Sequence, residues 1–270
     1  MSLLQISDTH FGTERPAVVE ALLRLAQAQA PQLVLLTGDI TQRATRAEFA
    51  AARAFVDRLR PVPVLAIPGN HDLPLFNACM RFAAPYARYR RAFGRELEAA
   101  REAATWLVLG VNTTRRWRHE DGHVSEAQIE QVAQRLEDAA PQQLRVVLVH
   151  HPVAVTRPED ETNLLHGRER AVQRWAEAGA DLIVGGHIHL PYVLPLHEAR
   201  PGLARRVWAV QAGTAVSSRV RHEAGNSVNL IRPLGGSQCR VERWDHQPER
   251  DAFEPVAVHM LRGGRPTDAG

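Results

Sequence analysis

The stretch VPVLAIPGNHD, residues 62–72, decides how this chain is read. Residues 62–67 form a short apolar run that ends at Pro68-Gly69, the punctuation expected of a buried strand. The run leads directly into Asn70, His71 and Asp72. Strand ends of open α/β sheets aim such side chains into the crevice where ligands bind. The same arrangement recurs four more times. Residues 3–6 precede Asp8-Thr9-His10, residues 33–36 precede Gly38-Asp39, residues 146–149 precede His150-His151, and residues 182–184 precede Gly185-Gly186-His187-Ile188-His189. Any one of these is ordinary turn chemistry. Five in succession describe a metal centre.

With 270 residues, 44% of them hydrophobic and 23% charged, the chain suits one large globular domain or two small ones, with material for a substantial core. Its net charge is +3, and all 33 basic side chains are Arg. Codon usage in a GC-rich genome accounts for such a bias; the alternative is that a few Arg forks bind a phosphate-bearing substrate. Because 30 acidic residues are interspersed among them, no basic stripe is visible and no nucleic-acid partner is expected. Cys79 and Cys239 form no CxxC pair and read as reduced thiols of a cytosolic protein. No apolar run approaches bilayer length. The first strand follows Ser2 at once, so no signal peptide is expected and the expected location is cytoplasmic.

The first part of the chain alternates strand and helix. Residues 16–30 carry Val18, Ala21, Leu22, Leu25 and Ala26 at helical spacing, with Pro16 in the first turn. Residues 46–60 do the same with Phe49, Ala52, Phe55, Val56 and Leu59. With the three strands around them they make a βαβαβ unit whose crossovers are right-handed. Residues 73–103, rich in Arg and aromatics (Phe76, Phe82, Tyr86, Tyr89, Phe93), read as a helical cap or loop beside the site. A strand over 106–111 follows, then a helix over 125–136 with Ser125 as N-cap and Gln128 completing a capping box, and a helix over 170–178 stopped by Gly179. Beyond Pro191 the chain is β-rich: residues 192–196, 206–212, 227–231, 239–244 and 253–259 read as antiparallel strands of a second sheet packed on the first. The expected organisation is a single domain over 1–260, with a frayed tail over 261–270.

Two metal ions about 3.5–4 Å apart need a shared anionic ligand, and Asp39, central in the motif order, is the candidate bridge. Asp8 and His10 can project to one side of a strand end and, with His189, complete one ion. Asn70, His150 and His187 complete the other. This mixture of imidazole and carboxylate suits Mn, Fe or Zn. Such a centre lowers the pKa of bound water to about 7 and clamps the attacking and leaving oxygens of in-line displacement at phosphorus. His71 is then spare, placed to hydrogen-bond the phosphoryl group or protonate the leaving oxygen, with Asp72 to orient its ring.

Together these motifs resemble the calcineurin-like metallophosphoesterase superfamily, whose pattern D-x-H, G-D, G-N-H-D/E, H and G-H-x-H is met at every element over residues 3–190. The resemblance implies a four-layer αββα sandwich with Asp8, His10, Asp39, Asn70, His150, His187 and His189 as ligands and His71 as the catalytic imidazole. Within the superfamily the chain is most similar to the class III cyclic-nucleotide phosphodiesterases. That implies hydrolysis of cyclic AMP or cyclic GMP by attack of metal-bound hydroxide. Another small diester, such as a glycerophosphodiester or a nucleotide-linked lipid precursor, and a non-catalytic metal-binding scaffold are the alternatives. A nuclease is disfavoured by the weak net charge.

His151 neighbours His150 on a strand and so points to the opposite face; it is expected beside the site and not in it. His119, His123, His197, His246 and His259 read as surface or packing residues, and His166 and His222 as possible substrate contacts. Two loops can also touch a phosphate or base: Asn112-Thr113-Thr114-Arg115, and Gly213-Thr214-Ala215 with Ser217-Ser218-Arg219. Asp181 reads as a turn residue. The β-rich C-terminal portion offers an edge for a homodimer.

Overall fold

The computed structural model describes residues 1–75, 77–221 and 224–264. Phe76, His222 and the tail over 265–270 therefore lie outside the described residues. The expected βαβαβ unit opens the chain: β1 (Leu3–Ile6), α1 (Pro16–Gln29), β2 (Leu33–Thr37), α2 (Arg46–Arg58) and β3 (Val64–Ile67), with β1, β2 and β3 paired in parallel. Pro16 starts α1, and Thr45 with Glu48 closes a capping box on α2. Strand β3 begins only after Pro63, which has no amide to give to a ladder.

The 73–103 segment folds as α3 (Ala78–Ala83), α4 (Ala87–Phe93) and β4 (Ala100–Ala103). Tyr89 and Phe93 of α4 pack their rings on Phe49 of α2. Arg81 of α3 is buried, and its guanidinium donates to the carbonyls of Pro74, Arg116 and Arg118, which ties the segment to a neighbouring loop. The second half repeats the alternation with β5 (Trp106–Gly110), α5 (Glu126–Glu137), β6 (Leu144–Leu148), α6 (Arg168–Ala178) and β7 (Leu182–Gly185). The Ser125/Gln128 capping box forms, and Gly179 at φ 110° ends α6.

The C-terminal strands depart from the expectation of one added sheet. They are β8 (Tyr192–Pro195), β9 (Trp208–Gln211), β10 (Ser227–Gly235), β11 (Gln238–Gln247) and β12 (Ala252–Arg262). The three last strands extend the first sheet, in the order β12-β11-β10-β1-β2-β3, while β8 and β9 extend the second, in the order β4-β5-β6-β7-β9-β8. Strand β9 runs parallel to β7. The physical reason is edge coverage: β1 and β7 would otherwise leave unpaired ladders at the middle of the fold.

The result is a four-layer αββα sandwich of two mixed sheets. Alternation along the strands makes the layers. Leu3, Leu33 and Leu35 face Val108, Val146 and Val184 between the sheets. Leu4, Ile6, Val34 and Leu36 turn to α1 and α2, and Leu107, Leu109, Val147 and Ile183 turn to α5 and α6. One polar strut crosses the inner layer: Gln5 of β1 donates to the Gly185 carbonyl of β7 at 2.8 Å and accepts from Asn229 of β10 at 2.8 Å. Asp181, expected as a turn residue, is buried and accepts from the Arg145 amide and the Arg205 guanidinium. Both cysteines are free, Cys79 exposed and Cys239 buried. No helix among the described residues is long and apolar enough to cross a membrane.

Candidate metal centre

The turns that carry the motifs are bent in a way few residues tolerate. Asp8 (φ 51°), His10 (41°), Asp39 (48°), His187 (77°) and His189 (57°) all lie in the left-handed region, and among the described residues only Ala30, Ala44 and Asp251 of the other non-glycines do. Each such position costs about 1–3 kcal/mol and persists where its surroundings over-determine it, typically at functional sites. Close packing of the turns needs glycine. A Cβ on Gly69 would overlap the Asp39 carboxylate, and one on Gly186 would overlap Asp8 and the Ser7 hydroxyl.

Two groups of donor atoms result. In the first, Nε2 of His10 and Nε2 of His189 face each other at 3.0 Å. Asp8 Oδ1 lies 3.3 Å from His189 Nε2 and 3.8 Å from His10 Nε2. His189 donates its Nδ1–H to the Arg219 carbonyl at 2.6 Å, which leaves the Nε2 lone pair aimed inward. In the second, His150 Nε2 lies 3.2 Å from Asp39 Oδ1 and 3.3 Å from Asn70 Oδ1, and its Nδ1–H is fixed on the Thr37 carbonyl at 2.8 Å. The His187 ring stands 5.1 Å from that of His150, centroid to centroid. Asp39 belongs to both groups, because its other oxygen, Oδ2, lies 3.8 Å from His10 Nε2.

This donor set fits a pair of cations. Both ring nitrogens of His187 and Nδ1 of His10 are buried with no hydrogen-bond partner among the described residues, an uncommon state for buried polar atoms. The protonation states of four of these groups also suit ligation. Burial works to raise Asp39, but His150, His71 and His10 outweigh it and hold the carboxyl well below its usual range. Asp8 is likewise lowered, with burial outweighed chiefly by His189. Burial pushes His10 down to about 3 and His187 to about 4, so both are neutral. His150 goes the other way: burial lowers it, but Asp39 raises it to about 9.

The residues around this set correct the sequence reading in one place. Asp72 was expected to orient His71, yet its carboxylate accepts from the amides of Ile40, Thr41 and Gly69 and from the Thr41 hydroxyl, at 3.1, 2.8, 2.9 and 2.8 Å. Residues 70–72 form one 3-10 turn, which rotates Asp72 inward and away from its neighbour. Asp72 therefore staples the Asp39 turn to the Asn70 turn. Burial and then the Asp39 charge push it up to about 6. His71 is oriented instead by the Gln42 carbonyl, which accepts from Nδ1 at 2.8 Å; its amide donates to Asp39 Oδ1 at 2.9 Å.

His151 was expected on the opposite face, but β6 ends at Leu148 and strand alternation does not apply. Its ring stands 4.7 Å from that of His187, in a histidine group that could hold an ion, although Nδ1 is bonded to Thr113 Oγ1 and Nε2 to the Glu120 carbonyl. Asn112 and Thr114 are buried and bonded to each other, and outward bonds of the loop run from Thr113 to His151 and from Thr114 to Tyr86. His166 lies beside Asp121, 3.5 Å away, and is not part of the cluster. The 213–219 loop does reach the centre, through Thr214 on the Asp8 carbonyl and through Arg219. Sequence reasoning missed Ser7, which donates to Asp8 at 2.6 Å, and Gln42. Adjacency to Asp8 could have flagged the first; nothing local flags the second.

Known proteins place this arrangement. The chain is 27% identical over 208 residues to a probable cyclic nucleotide phosphodiesterase of Synechococcus sp., a match that covers 72% of this chain and 75% of that one. It is 27% identical over 205 residues to a probable glycerophosphodiester phosphodiesterase of Arcobacter nitrofigilis, covering 70% and 72%. The fold is shared with a purple acid phosphatase from yellow lupin seeds at TM-score 0.71 and 13% identity; the match takes 97% of this chain but spans only 53% of that protein's length. A dimetal phosphatase of Danio rerio shares it at TM-score 0.64 and 14% identity, over 97% of this chain and 98% of that one. Residues 1–191, which carry all five motifs, match the profile of the calcineurin-like phosphoesterases, and the chain belongs to that family.

Proposed function

We propose that the protein is a two-metal phosphodiesterase that hydrolyses a P–O bond of a small diester, with 3',5'-cyclic nucleotides as first substrate. The observation that carries this reading is the Asp39 carboxylate, whose two oxygens lie against two separate histidine groups. Asp8, His10 and His189 would hold one ion and Asn70, His150 and His187 the other, with Asp39 common to both. Bound there, Mn, Fe or Zn ions supply positive charge and an activated water for in-line displacement. Gln42 fixes the His71 ring so that Nε2 is the nitrogen left to face substrate, to hydrogen-bond the phosphoryl group or to hand a proton to the leaving oxygen. No ligand position of the family pattern is replaced, which favours a working enzyme over a scaffold.

The two similar proteins named above differ in printed substrate but are both diesterases, so a glycerophosphodiester is the alternative. The first sheet draws strands from both ends of the chain and so encloses the stretch that makes the second, which supports one functional domain over 1–260. A cytoplasmic location fits the free thiols, and a homodimer would find Val256, Val258 and Met260 exposed along the edge strand β12. The test is hydrolysis by metal-stripped protein reloaded with Mn, comparing cyclic AMP, bis-p-nitrophenyl phosphate and p-nitrophenyl phosphate. Diester cleavage that disappears in Asn70→Ala and His150→Ala proteins is expected. A fully active Asn70→Ala protein would overturn the assignment.

A further inference from the structure

We propose that Arg219 is the residue that binds the phosphoryl oxygens, and that the free protein parks its guanidinium on His71, from which an anionic diester displaces it. The substrate class is taken from the phosphodiesterase reading above. The main chain of Arg219 is built into the centre: its carbonyl accepts from His189 Nδ1 at 2.6 Å, and its amide donates to Ser217 Oγ at 3.1 Å. Its side chain crosses to the opposite side, where one terminal nitrogen lies 3.2 Å from His71 Nε2 and 3.0 Å from Gln42 Oε1. No carboxylate pairs with this guanidinium among the described residues.

A guanidinium held by an imidazole lone pair and an amide oxygen has exchanged none of its charge for a neutral pair. Two phosphoryl oxygens offer it a bidentate, charge-assisted partner that neither present acceptor can equal. Gln42 sets this up from both sides. Its carbonyl takes the Nδ1–H of His71, which leaves Nε2 as an acceptor for Arg219, and its side-chain oxygen steadies the same guanidinium nitrogen. Once the guanidinium turns to the phosphoryl group, the Nε2 lone pair of His71 is uncovered in the same movement. Arg219 is thus a binding residue, and Gln42 a positioning residue for the pair.

The test compares Mn-loaded wild type, R219Q and R219K by calorimetric titration with inorganic phosphate, by hydrolysis of bis-p-nitrophenyl phosphate, and by counting bound metal. R219Q is expected to bind phosphate about ten- to hundredfold more weakly and to lose a similar factor in kcat/KM, mainly through KM, with metal content unchanged. R219K, which keeps the charge without the fork, is expected to fall between the two and carries the test if R219Q does not fold. Phosphate affinity within about twofold of wild type in the variants overturns the proposal, as does loss of metal from both, which marks a purely structural role. Wild type that binds phosphate through Arg219 but cleaves no diester sinks the phosphodiesterase reading and leaves this one standing.

Discussion

The side-chain amide of Gln5 donates to the carbonyl of Gly185 at 2.8 Å, joining the middle of β1 to the end of β7 across the apolar layer between the sheets. Asp8 follows the first residue along its chain and His187 the second. The His187 amide in turn donates to the Asp8 carboxylate at 3.0 Å. The strut therefore sets the spacing between the two turns that bring Asp8 and His187 together.

Gln5→Leu keeps the volume and removes the strut, leaving the Gly185 carbonyl with the Ala212 amide and the Asn229 amide with the Gln211 carbonyl as remaining partners. A loss of about 0.5–1.5 kcal/mol in urea unfolding is expected, with weaker metal binding in a direct titration. Unchanged stability together with unchanged affinity would show that the sheets hold the two turns without it.

Asp72 and His71 are neighbours with separable roles. Asp72→Asn replaces one acceptor oxygen with an NH2 that faces either the amides of Ile40 and Gly69 or the amide and hydroxyl of Thr41. It should cost about 1–3 kcal/mol or more of stability by denaturant titration. His71→Asn, at a half-buried position, should cost about 0.5 kcal/mol or less while turnover falls about 10²–10⁴-fold. If the two variants lose stability equally, the stapling role of Asp72 is wrong.

The raised pKa of His150, about 9 against Asp39, gives metal binding a pH dependence of definite sign. At neutral pH this imidazole carries a proton that an ion must displace. Affinity should therefore rise with pH up to about 9, by about tenfold per unit for each proton released, and fall as pH is lowered. Titrations of Mn or Zn against a competing chelator at pH 6, 7 and 8 check it; a flat profile would mean that His150 binds no ion.

Much of this was legible in the sequence, because each donor sits at a strand end where an apolar run and a glycine mark its place. The βαβαβ opening and the capping box of α5 came through on local grounds, and the αββα layering through the family resemblance. What failed was non-local. The C-terminal strands look alike along the chain, and only the open flanks of β1 and β7 decide which sheet each joins. Asp72 was misread because adjacency to His71 suggested contact, whereas the 3-10 turn points the two side chains apart. Gln42 and His71 are far apart along the chain, and nothing in either motif announces their bond.

The left-handed turns at Asp8, His10, Asp39, His187 and His189 have a consequence for how such a chain can change. Glycine at any of them would relax the backbone and delete a donor of the proposed metal centre in the same substitution. At each of these positions the protein can gain foldedness or keep its chemistry, but not both.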